Sequence, residues 1–206
     1  MIALETRGAL WRVVIDRPDK ANSLTAEMLG ELARIAEDAH GQAQVLVLTG
    51  RGRVFSAGAD LEAARAGLAK DPVWERLSGA LASFEGLSIA ALNGTLAGGA
   101  FGMALACDLR IAVEGAKFFY PAISLGFLPQ PSDPPRLAAL VGPARAKMIL
   151  MAGQKIPAEE ALAWGLIDRL VAPDALEATV AELSEAALAA PAERVAAIKA
   201  LIAGRD

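Results

Sequence analysis

Apolar residues fall along this chain in two rhythms. Short unbroken runs, Val45-Leu46-Val47-Leu48 and Ile89-Ala90-Ala91-Leu92, are bounded by Gly, Asn and polar residues. Such runs read as strands covered on both faces. Residues 2–4 and 9–15 read as two further strands, with Gly8 between them as a hairpin turn. Residues 109–113 and 117–119 complete the strand set. The second rhythm is helical. Leu24, Met28, Leu32 and Ile35 keep one apolar stripe, which predicts a helix capped by Ser23 or Thr25 and running to Ala39. Helices are also predicted over 61–70 and 73–85, parted by Asp71-Pro72, and over 100–107. Later helices are predicted over 136–140, 144–151, 158–164, 175–190 and 192–203. Pro129, Pro131, Pro134 and Pro135 make 125–135 a loop. Strand, turn, strand and helix follow one another repeatedly, which implies an α/β fold. No short repeat is visible in the residues themselves.

Two breaks in this pattern carry candidate chemistry. After the run at 89–92 the chain breaks at Asn93-Gly94 and again at Gly98-Gly99, then resumes as a small-residue helix. After the run at 45–48, Gly50, Gly52 and Gly58 lead into Ala59-Asp60-Leu61. A glycine turn lets backbone or ligand approach closely. Free N–H groups at a helix start suit an anion, or a carbonyl oxygen that becomes one during reaction. Two such turns can each deliver one N–H to a shared oxygen. Tight turns made only for packing have the same appearance.

Composition narrows the reading. At 206 residues, 54% hydrophobic and 21% charged, the chain fits one globular domain with a sizeable core. A formal net charge of −4 argues against nucleic acid but leaves room for a local basic patch. Arg7, Arg12, Arg17, Lys20, Arg51 and Arg53 all lie in the first quarter and supply candidates for one. Cys107 is the only cysteine, so an intramolecular disulfide is excluded, and its apolar setting makes it a core residue. One Cys and one His give no Cys/His metal site. His40 precedes Gly41 and reads as a helix-end cap. No signal peptide and no apolar span of membrane length are visible, so a cytoplasmic location is expected and no membrane partner.

The motifs resemble the crotonase, or enoyl-CoA hydratase/isomerase, superfamily. FSAGADL (55–61), NGTLAGGAFGMALACDLRIA (93–112) and FFYPAISLGFLP (118–129) carry the resemblance. RPDKANSL (17–24) and AEEALAWGLIDRLV (158–171) extend it over almost the whole chain, in family order. It implies a spiral of ββα units over residues 1–140 and a helical C-terminal region over 141–206. It implies an acyl-CoA thioester as partner, with coenzyme A entering as part of the substrate and no permanently bound cofactor. The N–H groups of Ala59 and Gly99 would form the oxyanion hole. Lys20, Ala21, Ala57, Asp60 and Leu61 would hold CoA, and Leu96, Gly98, Gly102, Ala122 and Leu125 would line the acyl pocket. The family usually carries a further helical segment, so this chain is expected to be short at that end. A homotrimer, or a hexamer of two trimers, is the assembly implied, with Leu150, Met151, Leu162, Trp164, Leu166 and Ile167 among the apolar groups to be covered.

The match fails where the reaction is decided. The family's hydratases use two glutamates to position water and move protons. Their positions here are Gly102 and Ala122, and neither side chain can activate water. Other members place an aspartate or tyrosine just past the LGxxP-like segment, at the position of Gln130, which does not titrate. Asp133 and Tyr120 are the nearest replacement groups; Asp133 also reads as an exposed loop or helix-capping residue. Trp74, Phe84, Phe101 and Phe119 are candidates for either acyl pocket or core. Three readings follow. One is an enzyme that stabilises a thioester enolate, such as a malonyl-type decarboxylase, which needs no base to remove a carbon-bound proton. The second is a non-catalytic acyl-CoA binder. The third is a hydratase or isomerase using replacement groups.

Overall fold

A computed structural model describes residues 1–204. Two sheets organise it. The larger has six strands in the order β1 (Ile2–Arg7), β2 (Leu10–Ile15), β3 (Val45–Gly50), β5 (Leu87–Leu92), β7 (Leu109–Val113) and β10 (Arg169–Val171). Only the β1–β2 hairpin is antiparallel; the other pairings are parallel. The smaller sheet runs β4 (Val54–Ser56), β6 (Thr95–Ala97), β8 (Lys117–Phe119) and β9 (Ile156–Pro157). β3 is buried along its whole length and β5 along all but its first residue, as expected of parallel strands covered on both faces.

The chain passes from one sheet to the other and then into a helix, and repeats this. β3 leads to β4 and on to α2 (Leu61–Arg65) and α3 (Val73–Ser83). β5 leads to β6 and α4 (Phe101–Ala106); β7 leads to β8 and α5 (Ala122–Leu125). This is the ββα spiral. The turn before it holds α1 (Ala26–Asp38), capped by Thr25, whose hydroxyl accepts the Met28 N–H at 3.3 Å. Met28, Leu29, Leu32, Ile35 and Ala36 bury the face that the helical spacing marked out.

The segment 125–135 is shorter as a loop than its prolines suggest. Leu125 closes α5, and Asp133, Pro134 and Pro135 open α6 (Asp133–Leu150). Proline fits a first helical turn because that turn has no acceptor for its N–H. Gly142, at φ 81° and ψ 159°, breaks α6 just before Pro143, at the gap between the two predicted helices. α7 (Ala158–Trp164), α8 (Leu176–Ala189) and α9 (Ala192–Ile202) follow. The C-terminal region also contains strands. β9 joins the small sheet beside β8, and β10 joins the large sheet beside β7. At two and three residues they are too short for period-two alternation to mark them. Among the described residues no helix is long and apolar enough to cross a membrane.

Candidate active site

The small sheet places the two glycine turns side by side. β4 and β6 pair in parallel, with Val54 opposite Thr95 and Ser56 opposite Leu96. The turns that leave their C-terminal ends, Ala57-Gly58-Ala59 and Gly98-Gly99, are therefore neighbours. Gly58 has φ +87°, and a Cβ there would stand 2.8 Å from the Ala97 carbonyl oxygen and 3.2 Å from the Gly99 nitrogen. Only glycine allows both the conformation and the approach. The first turn is pinned from α1's side, where Leu24 N–H donates to the Gly58 carbonyl and Asp60 N–H to that of Leu24, at 2.8 and 2.9 Å. Among the described residues, neither the Ala59 nor the Gly99 N–H is taken up by a main-chain acceptor in these turns. Gly99 lies in a single 3-10 turn just before α4, and Cys107 just past that helix's end.

Ala59 and Gly99 line one cavity of about 140 Å³. Its walls are apolar: Leu61, Trp74, Leu125, Phe127 and Leu128 with several alanines. Gly98 and Ala122 line it too, and Tyr120 and Gln130 bring the polar groups. Leu96 and Gly102 do not. Leu96 is buried in β6, and Gly102 is covered by the Asp133 carboxylate. Among the aromatic candidates, Trp74 sets its indole against Gly99, 3.1 Å from where a Cβ would be. Phe84 and Phe101 are fully buried core residues.

A groove of about 680 Å³ adjoins the cavity and shares Ala57, Ala59 and Leu61 with it. Lys20, Ala21, Asp60 and Phe119 line it, together with Arg17 and Ser23. All five residues assigned to CoA from the motifs thus fall in one groove. The basic residues of the first quarter do not gather there as a set. Arg12 pairs with Glu177 and Arg51 with Asp16, while Arg17 bonds Asp60 at 3.0 Å and the Ser23 carbonyl at 3.0 Å. Asp60 caps α2, accepting the Glu62 and Ala63 N–H groups. The Ala63 N–H and the Arg17 guanidinium hold its carboxyl below the usual range.

Asn22 holds the groove's loop, a role that its residue type alone does not mark. It is fully buried, accepts the Arg17 N–H at 2.9 Å, and donates to the Arg51 and Val54 carbonyls at 3.0 and 2.7 Å. Ala21 and Asn22 have φ of 50° and 55°, a left-handed pair outside glycine. Asn tolerates that region, and the bonds fix it there.

Asp133 is neither exposed nor a cap, contrary to the bland reading of its position. It is 1% exposed. Its Oδ2 accepts the Tyr120 hydroxyl at 2.8 Å, and its Oδ1 has no partner among the described residues. Burial pushes its carboxyl up to about 7, against a smaller pull down from Tyr120. The same burial, with Asp133 adjacent, raises the Tyr120 hydroxyl strongly. Cys107 is a core residue whose burial pushes its thiol up to about 12. His40 does act at a helix end, though at α3's: its Nε2 lies 3.2 Å from the Ala80 carbonyl. Among the described residues no group of three or more metal-ligating side chains occurs.

Residues 5–204 match the sequence profile of the enoyl-CoA hydratase/isomerase family. The chain belongs to that family. It is 34% identical to a short-chain-enoyl-CoA hydratase of Clostridium acetobutylicum, over 89% of this chain and 73% of that protein. It is also 34% identical to a carnitinyl-CoA dehydratase of Citrobacter koseri, over 93% and 76% of the two chains. An enoyl-CoA hydratase from Mycobacterium avium superposes with a TM-score of 0.90 at 31% identity, covering 98% of this chain and 83% of that one. A Thermobifida fusca protein solved in complex with acetoacetyl-CoA also gives 0.90, at 33% identity over 100% and 88%. These structures share the family's crotonase fold with this one, including its C-terminal helices.

Proposed function

We propose that this protein acts on acyl-CoA thioesters and stabilises an enolate of the acyl group that is made by loss of CO₂ rather than by a base. One observation carries the reading. Among the described residues no carboxylate lines the cavity that contains both glycine turns, and this cavity adjoins the groove that carries Arg17 and Lys20. In the groove Lys20 meets a CoA phosphate as a point charge, and Arg17, whose Nη1 is held by Asp60 and Ser23, offers only the rest of its guanidinium. The thioester oxygen takes the N–H groups of Ala59 and Gly99, which face developing negative charge better than a neutral carbonyl. A malonyl-type substrate then has its own carboxylate among apolar walls. There the bond between the α-carbon and the carboxylate breaks, CO₂ leaves, and the electron pair moves onto the thioester oxygen. The charge ends where the donors are. A protein carboxylate at position 122, which lines the cavity, would oppose that step by repelling the substrate's own.

The test is a panel of malonyl-, methylmalonyl- and crotonyl-CoA. CO₂ release from one of the first two is expected. Crotonyl-CoA hydration should be lower than in a good hydratase by ~10²-fold or more, because each missing acid/base group costs about that much. Rapid crotonyl-CoA hydration with no CO₂ from either malonyl ester would remove this reading. CoA binding without turnover of any ester would favour a non-catalytic binder.

A further inference from the structure

The enolate left by CO₂ loss needs a proton at its α-carbon, and one hydrogen-bonded pair beside the cavity is built to supply it. Tyr120 lines the cavity with Ala59 and Gly99. Asp133 does not line it; it stands against Tyr120 and over Gly102. A Cβ on Gly102 would lie 2.7 Å from Asp133 Oδ1, so the missing side chain at 102 is what makes room for this carboxyl. The ordinary partners of an aspartate at a helix start are absent. Pro134 and Pro135 have no N–H to give, and Arg136 N–H is bonded to the Ser132 carbonyl at 3.4 Å. The charged neighbours are engaged elsewhere. Glu75 on α3 accepts the Ser132 N–H and hydroxyl, and Arg136 donates to Ser78 and Ser132.

We infer that Tyr120 hands its hydroxyl proton to the thioester enolate, and that Asp133 decides whether that proton faces the substrate. Counting lone pairs gives the mechanism. The Tyr120 oxygen already accepts the Gln130 N–H at 3.4 Å. When Asp133 is neutral, its O–H takes the other lone pair, and the Tyr120 proton turns away from Asp133, toward the cavity that Tyr120 lines. When Asp133 is ionised, it accepts the Tyr120 proton instead. In the transfer the Tyr120 O–H bond breaks, a C–H bond forms from the enolate pair, and the thioester carbonyl is restored. The phenolate takes the Asp133 proton, which solvent replaces. Tyr120 is the catalytic residue and Asp133 the positioning residue.

This inference rests on thioester enolate chemistry at the cavity, and two assays separate its failure from that of decarboxylation. The first follows CO₂ release from the malonyl-type ester as a function of pH. The second follows α-carbon deuterium exchange of butyryl-CoA in heavy water, which runs the same transfer backwards and needs no CO₂ loss. Wild-type decarboxylation should fall about tenfold per pH unit above the Asp133 titration, and exchange should rise through it until Asp133 is ionised. D133N, which is close to isosteric, should flatten both profiles. Y120F should lower both rates by ~10²–10⁴ with an unchanged circular dichroism spectrum. Exchange that titrates in this way without any CO₂ release keeps the pair and removes the decarboxylase. CO₂ release with one pH profile shared by wild type and D133N, or undiminished in Y120F, overturns the pair and keeps the decarboxylase.

Discussion

A carboxyl that is 1% exposed, with one oxygen unpartnered, holds its proton to about pH 7 instead of about 4. The linkage has a definite sign. Between those values the folded chain carries a proton at Asp133 that the unfolded chain has lost, so this residue makes stability fall as pH rises from about 4 to 7. The loss is on the order of a few kcal/mol for a fully buried group. D133N should therefore show a smaller drop in melting temperature than wild type between pH 5 and pH 8, measured by calorimetry in parallel. Equal drops would mean that the carboxyl is solvated and titrates normally. The sequence reads this aspartate as an exposed or capping residue, because the two prolines that follow remove two donors but leave the Arg136 N–H for a cap. What the sequence could not show is the space at Gly102, which comes from a different element.

Elements explain why the glycine turns were legible and their supports were not. The turns keep glycine where φ is positive or the backbones approach, so they mark themselves in the chain. β4 and β6, the strands that align them, have three residues each and carry no readable period. The loop from 17 to 23 is held by a side chain whose contacts reach 32 positions along the sequence. Asn22→Ala would leave the Arg17 N–H and the Arg51 carbonyl without their side-chain partner, and the Val54 carbonyl with only the Asn93 amide at 3.4 Å. It would also place alanine at positive φ. A loss of about 3 kcal/mol is expected, since each buried unpaired group costs about 1–3, and urea unfolding measures it. In an assay with an accepted acyl-CoA, KM should rise more than kcat, because the loop lines the CoA groove and not the cavity. A kcat loss with unchanged KM would place Asn22's role at the reacting carbon.

At the scale of the molecule, strand order brings two turns far apart in sequence onto one cavity and leaves particular apolar surface uncovered. The late apolar residues divide. Leu166 and Ile167 are buried in the chain's own core, which the sequence did not reveal, while Met151 and Leu162 are exposed. Met151 is part of a larger apolar hollow of about 410 Å³ with Ile123, Leu128, Pro129, Pro134 and Ala138. Leu128 is 86% exposed there and Ile123 53%. An apolar surface of this kind beside the cavity is unusual on a monomer, which predicts a contact face there. Because Leu128 also lines the cavity with the two glycine turns, a neighbour seated on this face would close one wall of it. A closed trimer, or two stacked trimers, would satisfy such a face with copies of the chain itself. Light scattering at micromolar concentration should give at least three times the single-chain mass, and Met151→Asp, away from the cavity, should lower it. Single-chain mass persisting as concentration rises would show that the hollow is not an interface between copies.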